Sequence, residues 1–225
     1  MTAKLEFPTP MHRRAAEAVV DFCLVLPVQA VLLVNSCARG TATAESDLDI
    51  ALLIDPEMST GERRLIEQAW RERYGNGSIF RELEGLSPFA GVHLDIFDGR
   101  WVPEPWDDGG GPDAFEIEIG NRVAHSVPLW ERGNVFEELC GRWLPYYGEA
   151  PRVERLRMVS AACRLNIERV HAAVKRDLNF YGFDRLYHAL QEFLQALFIS
   201  RGIYPVAYNK WIREQLEVWL GLPAL

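Results

Sequence analysis

The sequence lacks the features of membrane proteins, secreted proteins and zinc fingers. No run of apolar residues is long enough to cross a bilayer, and the opening MTAKLEFPTP has no apolar signal core. None of the four cysteines is spaced as a C-x-x-C pair or a zinc knuckle. We therefore expect a cytoplasmic protein with no membrane partner.

Positive charge is also scarce. The chain has 24 lysines and arginines against 32 aspartates and glutamates, a formal net charge of -8. Proteins that bind nucleic acid neutralise phosphates with lysine and arginine, so the charge balance argues against a nucleic acid partner. The 225 residues are 48% hydrophobic, which is enough to build one large domain or two small ones.

The pattern of apolar residues divides the chain into a mixed half and a helical half. In the first half it predicts helices at 11–25 and 59–75, and short buried strands at 29–36, 48–55 and 92–99. From residue 113 onward helical spacing dominates, at 113–127, 152–178, 183–202 and 209–221.

We therefore predict an α+β fold. A small mixed β-sheet with flanking helices would occupy residues 1–130, and an all-α helical bundle would occupy residues 131–225.

Two aspartates stand at the start of the second predicted strand, in SDLDIALLID. Residues two apart on a strand face the same side, so Asp47 and Asp49 present neighbouring carboxylates. Burying two like charges is costly unless a cation joins them. Mg²⁺ prefers such oxygen ligands and is often shared with phosphates, so the pair predicts a Mg²⁺ and nucleoside triphosphate site.

The surrounding residues strengthen this prediction. Ser36 lies at the end of the preceding strand, where its hydroxyl and nearby N–H groups can approach phosphate oxygens, and Arg39 can add a charged contact. The third predicted strand carries Asp95. If it lies beside the second strand, three carboxylates converge at one edge of the sheet.

These motifs resemble the nucleotidyltransferase superfamily, which includes polymerase beta and the aminoglycoside nucleotidyltransferases. The resemblance rests on NS at 35–36, DLD at 47–49 and LDI at 94–96. The helical second half is similar to the small antibiotic-modifying members, which implies that residues 131–225 bind the acceptor of the reaction. The chain departs from the family at Asn35, where a glycine is usual, although asparagine tolerates a left-handed backbone better than most residues.

The resemblance implies Mg²⁺-dependent transfer of a nucleoside monophosphate, with ATP the expected donor, to a hydroxyl of a small molecule such as an antibiotic. Asp47 and Asp49 would bind Mg²⁺. Asp95 would share a second ion or act as the general base. Lys210 could contact the outer phosphates, and relatives of this kind can form a homodimer.

Several other residues are candidates for the same site. Glu116 and Glu118 could supply the base, although on a helix at most one would face the site, and solvated acids are the alternative. His93 shares a strand face with Asp95. Other side chains could contact the substrates. Aromatic residues could stack on the nucleobase, and acidic residues could contact a cationic acceptor; these candidates are Trp101, Glu104, Trp106, Asp107, Asp108, Tyr187 and Tyr208.

Three other functions remain open at this point. An antitoxin-like enzyme would nucleotidylate a partner protein instead of a small molecule. A catalytically weak module would only bind nucleotides, and Asn35 favours this interpretation. A helical ribonuclease module would use Arg164 and His171, whose spacing fits an R-x(4–6)-H pattern.

Overall fold

The computed structural model describes residues 6–104 and 110–223, and it confirms the predicted α+β fold class. A mixed four-stranded sheet with flanking helices precedes a helical carboxy-terminal region. The strands are β1 (Val28–Leu33), β2 (Leu48–Ile54), β3 (Val92–Phe97) and β4 (Val127–Glu131). The helices are α1 (Pro10–Cys23), α2 (Asn35–Arg39), α3 (Thr60–Asn76), α4 (Ser78–Glu84), α5 (Phe115–Ile119), α6 (Val135–Trp143), α7 (Glu149–Val174) and α8 (Asn179–Arg201). Two π-helical segments span Gly120–Ala124 and Glu214–Trp219.

The chain forms two compact units, and each is built from two separate segments of the sequence. The first unit comprises Met1–Arg100 and His125–Gly141, and the second comprises Trp101–Ala124 and Arg142–Leu225. The prediction placed a single boundary after residue 130. The units instead interleave, because β4 returns to the sheet after a segment that belongs to the helical unit.

The sheet of the first unit has the strand order β3-β2-β1-β4. Strand β1 pairs antiparallel with both β2 and β4, whereas β2 and β3 are parallel. Parallel neighbours need a long crossover connection, and here α3 and α4 lie between the two strands in sequence.

Helices α1 and α4 contribute to the core on one face of this sheet. Alternate strand residues point to opposite faces, so Ile50 and Leu52 face the helices while Asp49 and Ala51 face the other side. Residues that are almost completely buried in this core include Ala15, Val19, Val31, Leu33, Ile50, Leu52, Phe80 and Leu83.

Helices α7 and α8 of the second unit form an antiparallel hairpin. Buried Asn166 of α7 donates to both carboxylate oxygens of buried Glu192 on α8 at 2.9 Å. Towards the tip of the hairpin, a Cβ added at Gly182 would lie 3.4 Å from the Cβ of Ala173. The hairpin helices therefore approach closely at this point.

The predicted helix at 113–127 takes a different form in the structure. Helix α5 ends at Ile119, the π-helical segment follows, and β4 begins at Val127 and pairs with β1. The apolar residues that suggest a single helix therefore have two roles. Those before residue 125 belong to the second unit, and those of β4 belong to a strand that pairs with the distant β1.

Among the described residues, no helix is both long enough and apolar enough to cross a membrane.

Gly120 provides a test of the packing in the second unit. A Cβ at this position would overlap the backbone carbonyl oxygen of Pro205, which cannot move without shifting the chain. We expect Gly120→Ala to lower the free energy of unfolding by about 3 kcal/mol, as overpacking does elsewhere.

The matched control is Gly141→Ala on helix α6, where an added Cβ meets nothing within 4 Å. This change should raise stability by about 0.5 to 1 kcal/mol, because alanine favours the helix. Urea unfolding followed by circular dichroism measures both. Equal effects of the two substitutions would contradict the described approach of Gly120 to Pro205.

Candidate functional site

The register between β2 and β3 brings the predicted acidic residues onto one face of the sheet. Asp49 lies beside His93, and Ala51 lies beside Asp95. Paired residues of parallel strands point to the same side, so Asp49, His93 and Asp95 share a face. This is the face opposite the one that packs against α1 and α4.

Asp49 is the most enclosed of these acids. Burial raises the pKa of its carboxyl, and the nearby charges of Asp47 and Asp95 raise it further. A hydrogen bond from the side chain of Asn35 and the proximity of His93 act in the opposite direction. The three predicted carboxylates therefore interact electrostatically around Asp49.

Asn35 has both a backbone role and a side-chain role. Its φ of 55° is left-handed, a conformation that asparagine was expected to tolerate where the family usually has glycine. Its side chain also acts to lower the pKa of Asp49, an effect that a glycine could not have. The sequence offered no sign of this second role.

Two buried side chains hold the backbone on either side of Asp47. His12 is fully buried; its Nε2–H donates to the carbonyl oxygen of Ser46 at 2.9 Å, and its Nδ1 pairs with the hydroxyl of Thr9 at 2.8 Å. The thiol of Cys37 donates to the carbonyl oxygen of Asp47 at 3.5 Å. Neither contact has a local sequence pattern, so neither could be predicted from the sequence.

Cys37 is a structural thiol. Burial, together with the charges of Asp49 and Asp47, raises its pKa to about 12. The thiol stays protonated at neutral pH and can donate its hydrogen bond.

Ser36 and Arg39 lie on the short helix α2, which directly follows β1. The carbonyl oxygen of Ser36 accepts a hydrogen bond from the backbone N–H of Thr41 at 3.0 Å, and Gly40 ends the helix with a φ of 71°. The N–H of Val34 donates to the carbonyl oxygen of Asp49 at 3.1 Å, which fixes the start of α2 next to the acids.

The geometry limits how a metal ion could be held. The Nε2 atom of His93 lies 3.8 Å from a carboxylate oxygen of Asp47, too far for a strong hydrogen bond. Across residues 6–104 and 110–223, no group of three or more His, Cys, Asp or Glu side chains is arranged to hold a metal ion. The expected ion shared by Asp47, Asp49 and Asp95 thus has no ready-made three-residue site.

Glu116 lies in the second unit, inside a buried network of charged and polar groups. Its Oε1 accepts hydrogen bonds from Arg155 and from the hydroxyl of Tyr147, and its Oε2 accepts from Arg155 and Gln195, all at 2.7 Å. Arg155 also donates to Asp113 at 2.7 Å. Both oxygens of Glu116 are engaged, which favours a structural role over the predicted role as a base.

The remaining candidates of the second unit have their own surroundings. Glu118 forms an ion pair with Arg122, four residues later. Lys210 is exposed, and its carbonyl oxygen accepts a hydrogen bond from Gln215 at 3.0 Å. Burial raises the pKa of Tyr208, which belongs to the core, whereas Tyr187 is half-exposed.

The loop that follows β3 is described in part. Trp101 packs edge-to-face against Trp143, and the backbone N–H of Glu104 donates to Asp113 at 3.2 Å. The predicted contacts of Trp106, Asp107 and Asp108 lie outside the described residues. On helix α7, Arg164 and His171 are both exposed.

No model of a known protein family matches the chain, and no curated protein matches it. Among solved structures, the chain is similar to one described as a crystal structure of a toxin–antitoxin with AMP-PNP. The two share 16% identity, the match covers 72% of this chain and 97% of that one, and the TM-score is 0.33. A TM-score of this size does not establish a common fold.

The buried network around Glu116 can be tested with neighbouring arginines. Arg155→Met would leave Asp113 and Glu116 buried without their cation, so we expect a loss of about 3 to 5 kcal/mol in the free energy of unfolding. Arg157→Met, on the same helix, removes only an exposed pair with Glu154 and should change stability little. If urea unfolding gives similar losses for both variants, the network does not stabilise the fold.

The contact between Asn35 and Asp49 can be tested by titration. Asn35→Gly keeps the left-handed turn but removes the amide, so the pKa of Asp49 should rise further above its ordinary value. Carbon-detected NMR of the carboxylates measures this, with exposed Asp55 as the internal reference. An unchanged Asp49 titration would show that the hydrogen bond does not form in solution.

Proposed function

We propose that the chain is a Mg²⁺-dependent nucleotidyltransferase, which transfers a nucleoside monophosphate from a nucleoside triphosphate to a hydroxyl of a small molecule. The observation that carries the proposal is the half-buried carboxylate of Asp49, with Asp47 and Asp95 close enough to raise its pKa. Three like charges at one place cost folding free energy. Neighbouring carboxylates of this kind are expected where they bind a cation or take part in a reaction.

The donor set at this place fits Mg²⁺. Asp47 and Asp49 offer oxygen ligands, and Mg²⁺ in nucleotide sites commonly takes one or two carboxylates together with phosphates. A cation bound there would favour the ionised form of the Asp49 carboxyl, whose pKa burial and the neighbouring acids raise. When bound, Mg²⁺ supplies charge stabilisation to the triphosphate and the departing pyrophosphate.

The chain's own residues would divide the remaining work. Asp95 is exposed and takes the proton from the acceptor hydroxyl as its oxygen bonds to the α-phosphorus. The bond from that phosphorus to the pyrophosphate oxygen breaks, and pyrophosphate leaves. Ser36 and Arg39 contact the phosphates at the end of β1.

The donor is proposed to be ATP and the acceptor a small hydroxylated molecule, an antibiotic among the candidates. An antitoxin-like enzyme that modifies a partner protein would use the same residues. The second candidate function is a module that binds nucleotide without efficient transfer. It is favoured by Asn35, whose side chain acts on the carboxyl of Asp49 that a metal ion would need.

The test begins with binding. Isothermal titration of the four ribonucleoside triphosphates, with and without Mg²⁺, should show binding that needs Mg²⁺, and pyrophosphate release should follow with an acceptor. Asp47→Asn and Asp49→Asn should each reduce this release by more than about a hundredfold. Asp49→Asn should not destabilise the fold, since a raised folded-state pKa means that ionisation of Asp49 costs stability above that pKa.

The matched control is Asp55→Asn, which changes an exposed acid just beyond the other end of β2 and should leave binding and release intact. Mg²⁺-dependent binding without pyrophosphate release from a broad acceptor panel would favour the binding module. Full release by both Asp47→Asn and Asp49→Asn would exclude the proposed site.

A further inference from the structure

The first two thirds of α8 expose several large apolar side chains. Between 40% and 94% of the surface of each of six residues is accessible to solvent. We name this set the α8 stripe, and it consists of Phe180, Phe183, Leu186, Tyr187, Leu190 and Phe193.

The α8 stripe follows helical spacing and lies outside the face of α8 that packs against α7. Residues three and four apart on a helix are neighbours on its surface, so the six side chains form one continuous face. The opposite face is buried at Gly182, Ala189 and Glu192. Beyond the stripe, Leu194 and Phe198 enter the core of the second unit, which leaves the stripe itself outside that core.

The exposed area is large enough for a specific interface. A buried aromatic side chain contributes about 150–250 Å², so six half-exposed large side chains offer on the order of 600 Å² per copy. Stable interfaces bury about 800 Å² per partner. The neighbouring helix α7 also exposes Ile167 and Val174, which would bring the total close to this value.

The spacing of the residues in the α8 stripe is symmetric. Successive members are separated by 3, 3, 1, 3 and 3 residues, a symmetric series centred between Leu186 and Tyr187. An antiparallel copy crossing at this centre would place Phe183 opposite Leu190 and Phe180 opposite Phe193. A two-fold interface requires this kind of self-complementarity, in which two positions exchange roles between the copies.

The chemistry of the stripe also suits a second copy. None of its six positions carries Asp, Glu, Lys or Arg, so pairing it with itself would bury no like charges. We propose that the α8 stripe is the two-fold interface of a homodimer, in which α8 packs antiparallel against α8 of the second copy. This inference does not depend on the proposed nucleotidyltransferase activity.

The experiment is sedimentation velocity on the full chain over a wide range of concentrations. We expect the wild type to sediment at twice its single-chain mass of 25.7 kDa. Phe183→Glu and Leu190→Lys should each weaken self-association by at least about tenfold, because each places a charge in the centre of an apolar interface. Both positions are exposed, so circular dichroism should show unchanged folding.

Mixing the two variants tests the antiparallel arrangement. In a mixed dimer the glutamate introduced into one copy would face the lysine introduced into the other, while the second contact keeps its original phenylalanine and leucine. The mixture should therefore recover dimer that neither variant forms alone. The matched control is Phe89→Glu, which changes an equally exposed phenylalanine outside the stripe and should remain dimeric.

A wild type that stays monomeric at every concentration would overturn the proposal. This holds also if the monomer binds lipid vesicles through the α8 stripe, because the stripe would then be a membrane contact. Dimers of undiminished affinity in Phe183→Glu and Leu190→Lys would overturn it as well. Failure of the mixed sample to recover dimer would rule out the antiparallel pairing.

Discussion

The parallel pairing of β2 with β3 is the constraint on which the candidate site depends. Its register sets Asp49 beside His93 and places Asp95 two pairs further along, on the same face of the sheet. A slip of one residue would turn His93 and Asp95 towards the face that packs against helices. The parallel pairing also requires a long connection, and α4 within that connection supplies Phe80 and Leu83 to the core. The parallel pairing of β2 with β3 thus contributes to the core and also orients the acids of the candidate site.

The acids of the site could be found from the sequence, but most of their surroundings could not. Strand alternation relates Asp47 to Asp49, and an apolar strand carrying Asp95 is visible locally. The contacts that hold the backbone beside Asp47 come from elsewhere: His12 reaches the carbonyl of Ser46 from 34 residues away. Such contacts follow from how the elements pack, and no local periodicity encodes them.

The same distinction explains the differences in the fold. The α+β class and the main helices follow from periodicity. Strand β4 is five residues long, contains Pro128, and is defined by pairing with β1 about a hundred residues earlier. Glu116 occupies a helical position that suits a solvated acid, yet Arg155, from α7, makes it a buried one. In both cases a contact with a residue far away in the sequence determines the local structure or the burial.

The interleaving of the two units affects how the chain can be synthesised. Residues 1–100 leave the ribosome before β4 exists, so the free edge of β1 has no partner while residues 101–124 are being made. An unpaired apolar strand edge readily joins another chain. Nascent chains of this protein therefore pass through a stage at which the sheet is open on the β1 side, and β4 can close it only after residues 101–124 of the helical unit have been made. Fragments that stop at the end of β3 would remain at that stage.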